Sequence, residues 1–106
     1  MITPTQLCKC LGDDTRLSLI CLLHGQGEVC VCDLVEALQA PQSTISRHLA
    51  QLRQCALVVA RRQGTWMHYR INPELPDWAK KSLKQLVPAA REALDLNHST
   101  ASCCET

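Results

Sequence analysis

Two helical segments separated by a proline break, and followed at once by a β-hairpin, constrain the fold of this 106-residue chain most. The first segment covers residues 33–38 and stops before Pro41, because the residue preceding a proline disfavours helical backbone. The second extends from Gln42 or Ser43 to about Gln54, and its apolar side chains share one face: Ile45, Leu49 and Leu52. This pattern predicts a helix-turn-helix, whose second member we term the recognition helix.

The hairpin is predicted from two strand-like runs, residues 57–61 and 66–71, which are rich in β-branched or aromatic side chains. Residues 62–65 separate them and include Gly64, which can adopt a positive φ. We expect Arg61 and Arg62 at the tip of this hairpin. A hairpin directly after a helix-turn-helix is a wing, so the fold class is mainly α with a β-hairpin, a winged helix-turn-helix.

Three further helices complete the expected domain. The first covers residues 6–11, after a start at Thr3–Pro4; the second begins at Asp13 or Asp14 and stops at Gly25. The last begins near Asp77, and Pro88 is expected to kink or restart it before residues 89–96. The chain is long enough for one core, so we expect one DNA-binding and dimerisation domain over residues 1–96 and a flexible tail over residues 97–106.

The charge layout points to a polyanionic partner. Net charge is only +1, yet residues 38–72 contain five arginines and no acidic residue. One cationic block in a nearly neutral chain favours a local surface for double-stranded DNA.

Side chains outside the apolar stripe of the recognition helix have the chemistry for operator contact. Arg47 can donate twice to guanine, and Gln42 or Gln51 can pair with adenine. His48 is a weaker candidate that could instead pack, while Arg61 and Arg62 suit phosphates or the minor groove. The hydroxyls that can bond bases or phosphates belong to Ser43, Thr44 and Ser46. One such unit spans few base pairs, so we expect a dimer on a two-fold site.

Eight cysteines include three close pairs, Cys8/Cys10, Cys30/Cys32 and Cys103/Cys104. Such neighbours rarely form unstrained disulfides with each other, and no secretion leader or membrane-spanning run is evident. We therefore expect reduced thiols in a cytoplasmic protein, with Cys21 and Cys55 as small buried apolar residues. Catalytic signatures are also missing from the sequence, so we expect no enzyme.

Three motifs in fixed order resemble the ArsR-type repressors of the ArsR–SmtB family: EVCVCDLVEAL, PQSTISRHLAQLR and RRQGTWMHYRINPELPDWA. The resemblance covers roughly residues 5–80. It implies a homodimeric winged helix, joined through its first and last helices, that represses its own operon until arsenite or antimonite binds. It also implies that Cys30 and Cys32 are the metalloid ligands, which agrees with the preference of soft ions for thiolates.

The geometry of a regular helix suggests how binding could act. Residues i and i+2 diverge by about 200° around a helix, so one ion could hold Cys30 and Cys32 only if the first turn unwinds or never forms. Capture would then deform the helix that supports the recognition helix.

The third ligand is open. Many ArsR-type sensors have another cysteine where this chain has Val35. Cys103 and Cys104 are the first candidates, followed by Cys8 and Cys10, and an exogenous third ligand would suit monomethylated arsenic. Zinc sensors of the family use histidines of the last helix, which residues 77–96 lack.

Two other functions stay open at this point. One is a thiol redox switch on the same winged helix, in which paired cysteines oxidise to a disulfide. The other is a constitutive DNA-binding or interaction module whose cysteines are inert.

Overall fold

A computed structural model describes residues 2–94 and 96. Its elements, in chain order, are α1 (Pro4–Leu11), α2 (Asp14–Gln26), β1 (Val29–Cys30), α3 (Val31–Leu38), α4 (Gln42–Gln54), β2 (Val58–Gln63), β3 (Trp66–Ile71) and α5 (Asp77–Ala93). The expected winged helix-turn-helix is confirmed, with α3 and α4 as the helix-turn-helix and β2 and β3 as the wing. None of the helices in this part of the chain is both long and apolar enough to cross a bilayer.

Local capping explains where α1 and α2 begin. The Thr3 hydroxyl accepts a hydrogen bond from the Gln6 N–H, and the Gln6 side chain accepts one from the Thr3 N–H. The Asp13 carboxylate caps α2 by accepting from the Arg16 N–H at 3.1 Å, which lowers the pKa of Asp13.

Three helix boundaries differ from the sequence-based expectation. Helix α2 passes Gly25 and ends before Gly27, whose φ of 82° suits glycine. Helix α3 begins at Val31, two residues before Asp33. Helix α5 continues through Pro88, because the proline is on the exposed side, where water can satisfy the carbonyl that lost its donor.

The sheet contains a strand that sequence patterns did not predict. Strand order is β1-β3-β2, all antiparallel, and the two-residue strand β1 pairs Val29 with Tyr69 and Cys30 with His68. A two-residue segment is too short to show the alternation of apolar and polar residues that marks a strand, so sequence periodicity could not reveal it. Its consequence is that the cysteine motif is attached directly to the wing.

The wing is longer than expected. Its ladder extends from Val58 opposite Ile71 to Gln63 opposite Trp66, which leaves Gly64 and Thr65 as the turn. Arg61 and Arg62 therefore lie within β2 and not at the tip. Because successive strand residues point to opposite faces, the two arginines have different surroundings.

The core is built around α2. Its residues 18–23 are all buried, which is more than one full turn and requires neighbours on every side. Helices α4 and α5 and strand β3 all pack against it. The predicted stripe of the recognition helix is confirmed, since three side chains are fully buried: Ile45, Leu49 and Leu52.

Candidate thiol site and nucleic-acid interface

Cys30 and Cys32 meet at the junction between β1 and α3. Their sulfur atoms are 3.2 Å apart. Cys30 has extended backbone (φ −70°, ψ 145°) and lies just outside the helix, whereas Cys32 lies in the first helical turn. The helical divergence of about 200° does not apply to them, so both sulfurs can face one ion without unwinding α3.

The surroundings of this pair favour thiolate chemistry. Cys30 is buried, with 3% of its surface exposed, and Cys32 is half-buried. Both lie at the N-terminus of α3, where the partial positive charge of the helix stabilises a thiolate. Within residues 2–94 and 96 no group of three His, Cys, Asp or Glu side chains is placed to hold a metal ion, and two cysteine sulfurs converge at this junction.

The other cysteines have different positions. Cys10 of α1 and Cys55, the residue that ends α4, form a disulfide, which corrects both the expectation of fully reduced thiols and the prediction that Cys55 is simply a buried apolar residue. While this bond is closed, the Cys10 sulfur is not available as a third metalloid ligand. Cys8 is exposed on α1, and Cys103 and Cys104 lie outside the described residues.

Cys21 behaves as predicted. It is fully buried in α2, and burial raises the pKa of its thiol. It is therefore a small core residue.

The thiol junction contacts both DNA-reading elements of the fold. Through β1, Cys30 is paired with His68 of the wing strand β3. Helix α3, which begins with these thiols, packs against the recognition helix α4. A displacement of either sulfur can therefore reach the wing or the recognition helix directly.

The exposed face of α4 presents most of the predicted operator contacts. Thr44 is half-buried, and the exposed members of the set near the start of the helix are Gln42, Ser43, Ser46 and Arg47. All lie off the stripe that α4 buries in the core.

Two predicted contacts are instead engaged with α2. The Arg16 guanidinium donates to the Gln51 side-chain oxygen at 2.9 Å, and its Nη1 is 3.4 Å from the His48 Nδ1. His48 is only 12% exposed, and its Nδ1 is 3.9 Å from the Asp13 carboxylate. Arg16 also donates to the carbonyl oxygens of Lys9 and Cys10, so it joins the end of α1 to the recognition helix.

In the wing, Arg61 and Arg62 are both exposed, but Arg61 is paired with Glu28. The Arg61 Nε donates to Glu28 Oε2 at 3.2 Å, and Nη2 donates to Glu28 Oε1 and to the Gln63 side chain. This pairing lowers the pKa of Glu28 and raises that of Arg61. Glu28 immediately precedes β1, so the ion pair joins the thiol junction to the wing by a second route.

Sequence reasoning did not identify Arg16 or Glu28 as part of this site. Each meets its partner across more than 30 residues of chain, and a single sequence contains no local signal for such a contact.

An apolar groove lies between α1 and α5, where Leu11 and Leu86 are among the lining residues. Leu86 is 40% exposed, so the groove presents a large apolar side chain to solvent.

Comparisons with known proteins agree with this architecture. Residues 13–59 match the family model described as bacterial regulatory protein, arsR family. Over 94 residues the chain is 47% identical to the arsenic resistance transcriptional regulator ArsR1 of Pseudomonas putida KT2440, covering 89% of this chain and 73% of that protein. The chain belongs to the ArsR family.

Two transcriptional repressors show a similar degree of likeness to this chain. The arsenical resistance operon repressor of Escherichia coli K12 is 50% identical over 84 residues, which cover 79% of this chain and 72% of that protein. The crystal structure of the AntR antimony-specific transcriptional repressor superposes with a TM-score of 0.66 at 31% identity, over 84% of this chain and 78% of that one. The resemblance stated from the three motifs is confirmed, and with it the assignment of this ArsR-family chain to the transcriptional regulators.

Proposed function

We propose that this ArsR-family protein is a dimeric repressor that binds operator DNA and is released when trivalent arsenic or antimony binds Cys30 and Cys32. The observation that carries the proposal is the 3.2 Å separation of the two sulfurs at the point where the wing meets the helix-turn-helix. Arsenical resistance in the names of two relatives, and antimony in that of a solved structure, support the inducer class.

Ligand chemistry favours a thiophilic metalloid at this junction. Trivalent arsenic and antimony are soft and are held best by thiolates. The residues present fit such an ion, because two sulfurs already converge and a helix N-terminus lowers the cost of deprotonating them. A third ligand could come from Cys103 or Cys104 or from solvent, and a monomethylated arsenical would need no third protein ligand.

Metalloid binding at Cys30 and Cys32 alters the operator-binding surface by a route other than the unwinding of α3. Because the sulfurs converge without distortion of α3, binding acts by fixing the mutual position of β1 and the first turn of α3. Movement of Cys30 is transmitted to His68 through the sheet, and movement of Cys32 is transmitted through α3 to α4. We infer that the metalloid-bound junction holds wing and recognition helix in a relative position that fits the duplex badly.

The operator surface that we propose combines the exposed start of α4 with the wing. Arg47 is the leading base contact, with Gln42 beside it and Arg62 on the phosphates. Gln51 and His48 are held by Arg16, and Arg61 by Glu28, so we assign these three a secondary part.

The groove between α1 and α5 supports a homodimer. A second copy that packs Leu86 and Leu11 against their counterparts would remove this apolar surface from water and place two recognition helices on one duplex. L86E should yield monomers in sedimentation velocity and lose operator binding, whereas K84E, at an exposed position of the same helix, should remain dimeric. A dimeric L86E protein would place the interface elsewhere.

Titration of arsenite into the operator complex, under an excess of monothiol reductant, tests the inducer. Fluorescence anisotropy of a labelled operator duplex should fall at stoichiometric arsenite for the wild type and for K84A, a control at an exposed position of α5. C30S and C32S should bind the duplex as the wild type does but fail to release it. Release of both variants at wild-type arsenite concentrations would remove these cysteines from the site.

Peroxide separates the alternative functions. Release by peroxide but not by arsenite would favour a redox regulator, and release by neither would favour a constitutive DNA-binding module.

A further inference from the structure

We propose that Cys10 and Cys55 form a second thiol site. A hydroperoxide oxidises the two thiols to a disulfide, which reversibly joins α1 to the end of the recognition helix. The structure places the two residues in a disulfide although 45 positions separate them in the chain. Their site is distinct from Cys30 and Cys32, and the inference does not depend on metalloid binding there.

The surroundings of the pair favour reaction with a small polar oxidant. An open pocket reaches both cysteines, and its lining includes the cationic side chains of Lys9 and Arg16 and no acidic residue. Neighbouring cations stabilise thiolates, and thiolates are the nucleophiles that attack peroxides. Cys21 also has a cation nearby, Arg91, but it is fully buried, so no open pocket brings an oxidant to its sulfur, and burial raises the pKa of its thiol.

The chemistry balances with one peroxide per disulfide. The first thiolate attacks a peroxide oxygen, which breaks the O–O bond and leaves a sulfenic acid and, after protonation, water or an alcohol. The second thiol attacks the sulfenic sulfur, forms the S–S bond and expels water. Two thiols have then lost two electrons to the peroxide, and a dithiol reductant reverses the step by thiol–disulfide exchange.

The position of the bond indicates what it controls. Cys55 ends α4, and the seam that the bond closes also contains the contacts of Arg16 with Gln51, His48 and the Cys10 carbonyl oxygen. Closing the bond holds α4 where Gln51 and His48 remain engaged with α2. Opening it lets the end of α4 move away from α1, so that these side chains can turn to the duplex. Oxidation is therefore expected to weaken operator binding.

Three measurements on C30S/C32S protein, which lacks the sensor pair, test the inference. After hydrogen peroxide and alkylation of remaining thiols, digestion should yield a Cys10–Cys55 crosslinked peptide that dithiothreitol abolishes. Because the bond closes a long loop, the oxidised Tm should exceed the reduced Tm by about 10 °C or more. The oxidised protein should bind the operator duplex at least about fivefold more weakly.

Matched variants make the outcome decisive. In the same background, C10S and C55S should lose all three responses, whereas C8S, at an exposed position two residues earlier on α1, should keep them. Failure to find the crosslinked peptide in C30S/C32S protein, or equal operator affinity of the two redox forms, would overturn the proposal. The peptide map needs no further variant, so it remains informative if C10S or C55S fails to fold. Failure of arsenite release would leave all three results unchanged and would count against the metalloid proposal alone.

Discussion

Replacing Glu28 with glutamine should turn Arg61 from an internally paired residue into a phosphate contact. In the structure, Arg61 donates to both carboxylate oxygens of Glu28 and to Gln63. The glutamine keeps the size of the side chain but removes its charge. The guanidinium is exposed on the wing, so in E28Q it is released toward any nearby polyanion.

The expected change in the salt dependence of DNA binding follows from counterion release. Each phosphate that a protein cation neutralises changes the slope of log K against log salt by about −0.9. One new contact per chain therefore steepens the slope by about 0.9, and two in a dimer by about 1.8. Between 50 and 200 mM salt, E28Q should consequently lose about 12-fold more affinity than the wild type.

Fluorescence anisotropy with a labelled duplex measures this slope over a series of potassium chloride concentrations. Because phosphate contacts are independent of sequence, a non-specific duplex serves as well as the operator. R61A alone should leave the slope near that of the wild type, and E28Q/R61A should return to it. R62A provides the matched control, since Arg62 is exposed on the opposite face of β2, and its loss should make the slope shallower by about 0.9 per chain.

Restraint of Arg61 by Glu28 would be refuted if R61A alone made the slope shallower by as much as R62A while E28Q changed nothing. Arg61 would then contact phosphate in spite of Glu28, and the ion pair would not restrain the wing.

Three other variants test separate parts of the structure. R47A should weaken operator affinity by about 1–3 kcal/mol, whereas K84A on α5 should not, as the same anisotropy assay can show; equal losses would remove Arg47 from base contact. C21S, which leaves a hydroxyl in the core, should lower the free energy of unfolding in urea by about 1–3 kcal/mol, and an unchanged midpoint would contradict full burial. D13A should cost about 1 kcal/mol at pH 7 through loss of the Arg16 N–H cap. The pKa of Asp13 is lowered by folding, so this contribution is complete above the pKa of an unfolded-chain aspartate and fades below about pH 4; a deficit that stays constant down to pH 2 would argue against the cap.

The site was predicted only where chemistry and spacing are local. Cys30 and Cys32 are two positions apart, and their thiols and helix-terminal location followed from the motif. Their convergence did not, because it depends on Cys30 leaving the helix to pair with His68, which lies on a strand far along the chain. The expectation that the first turn of α3 unwinds or never forms assumed that both cysteines lie within the helix, whereas Cys30 lies just outside it.

The sequence by itself determined the winged helix-turn-helix. Its signals are all local in the sequence: the apolar stripe on α4, the strand-like runs around Gly64 and the proline break. Backbone geometry alone decides which element each of them can form. Only the tertiary structure decided that Cys10 meets Cys55 and that Arg16 and Glu28 hold predicted operator contacts. These pairs are 32 to 45 positions apart, and packing of α1, α2 and β1 around the core, not any local preference, brings them together.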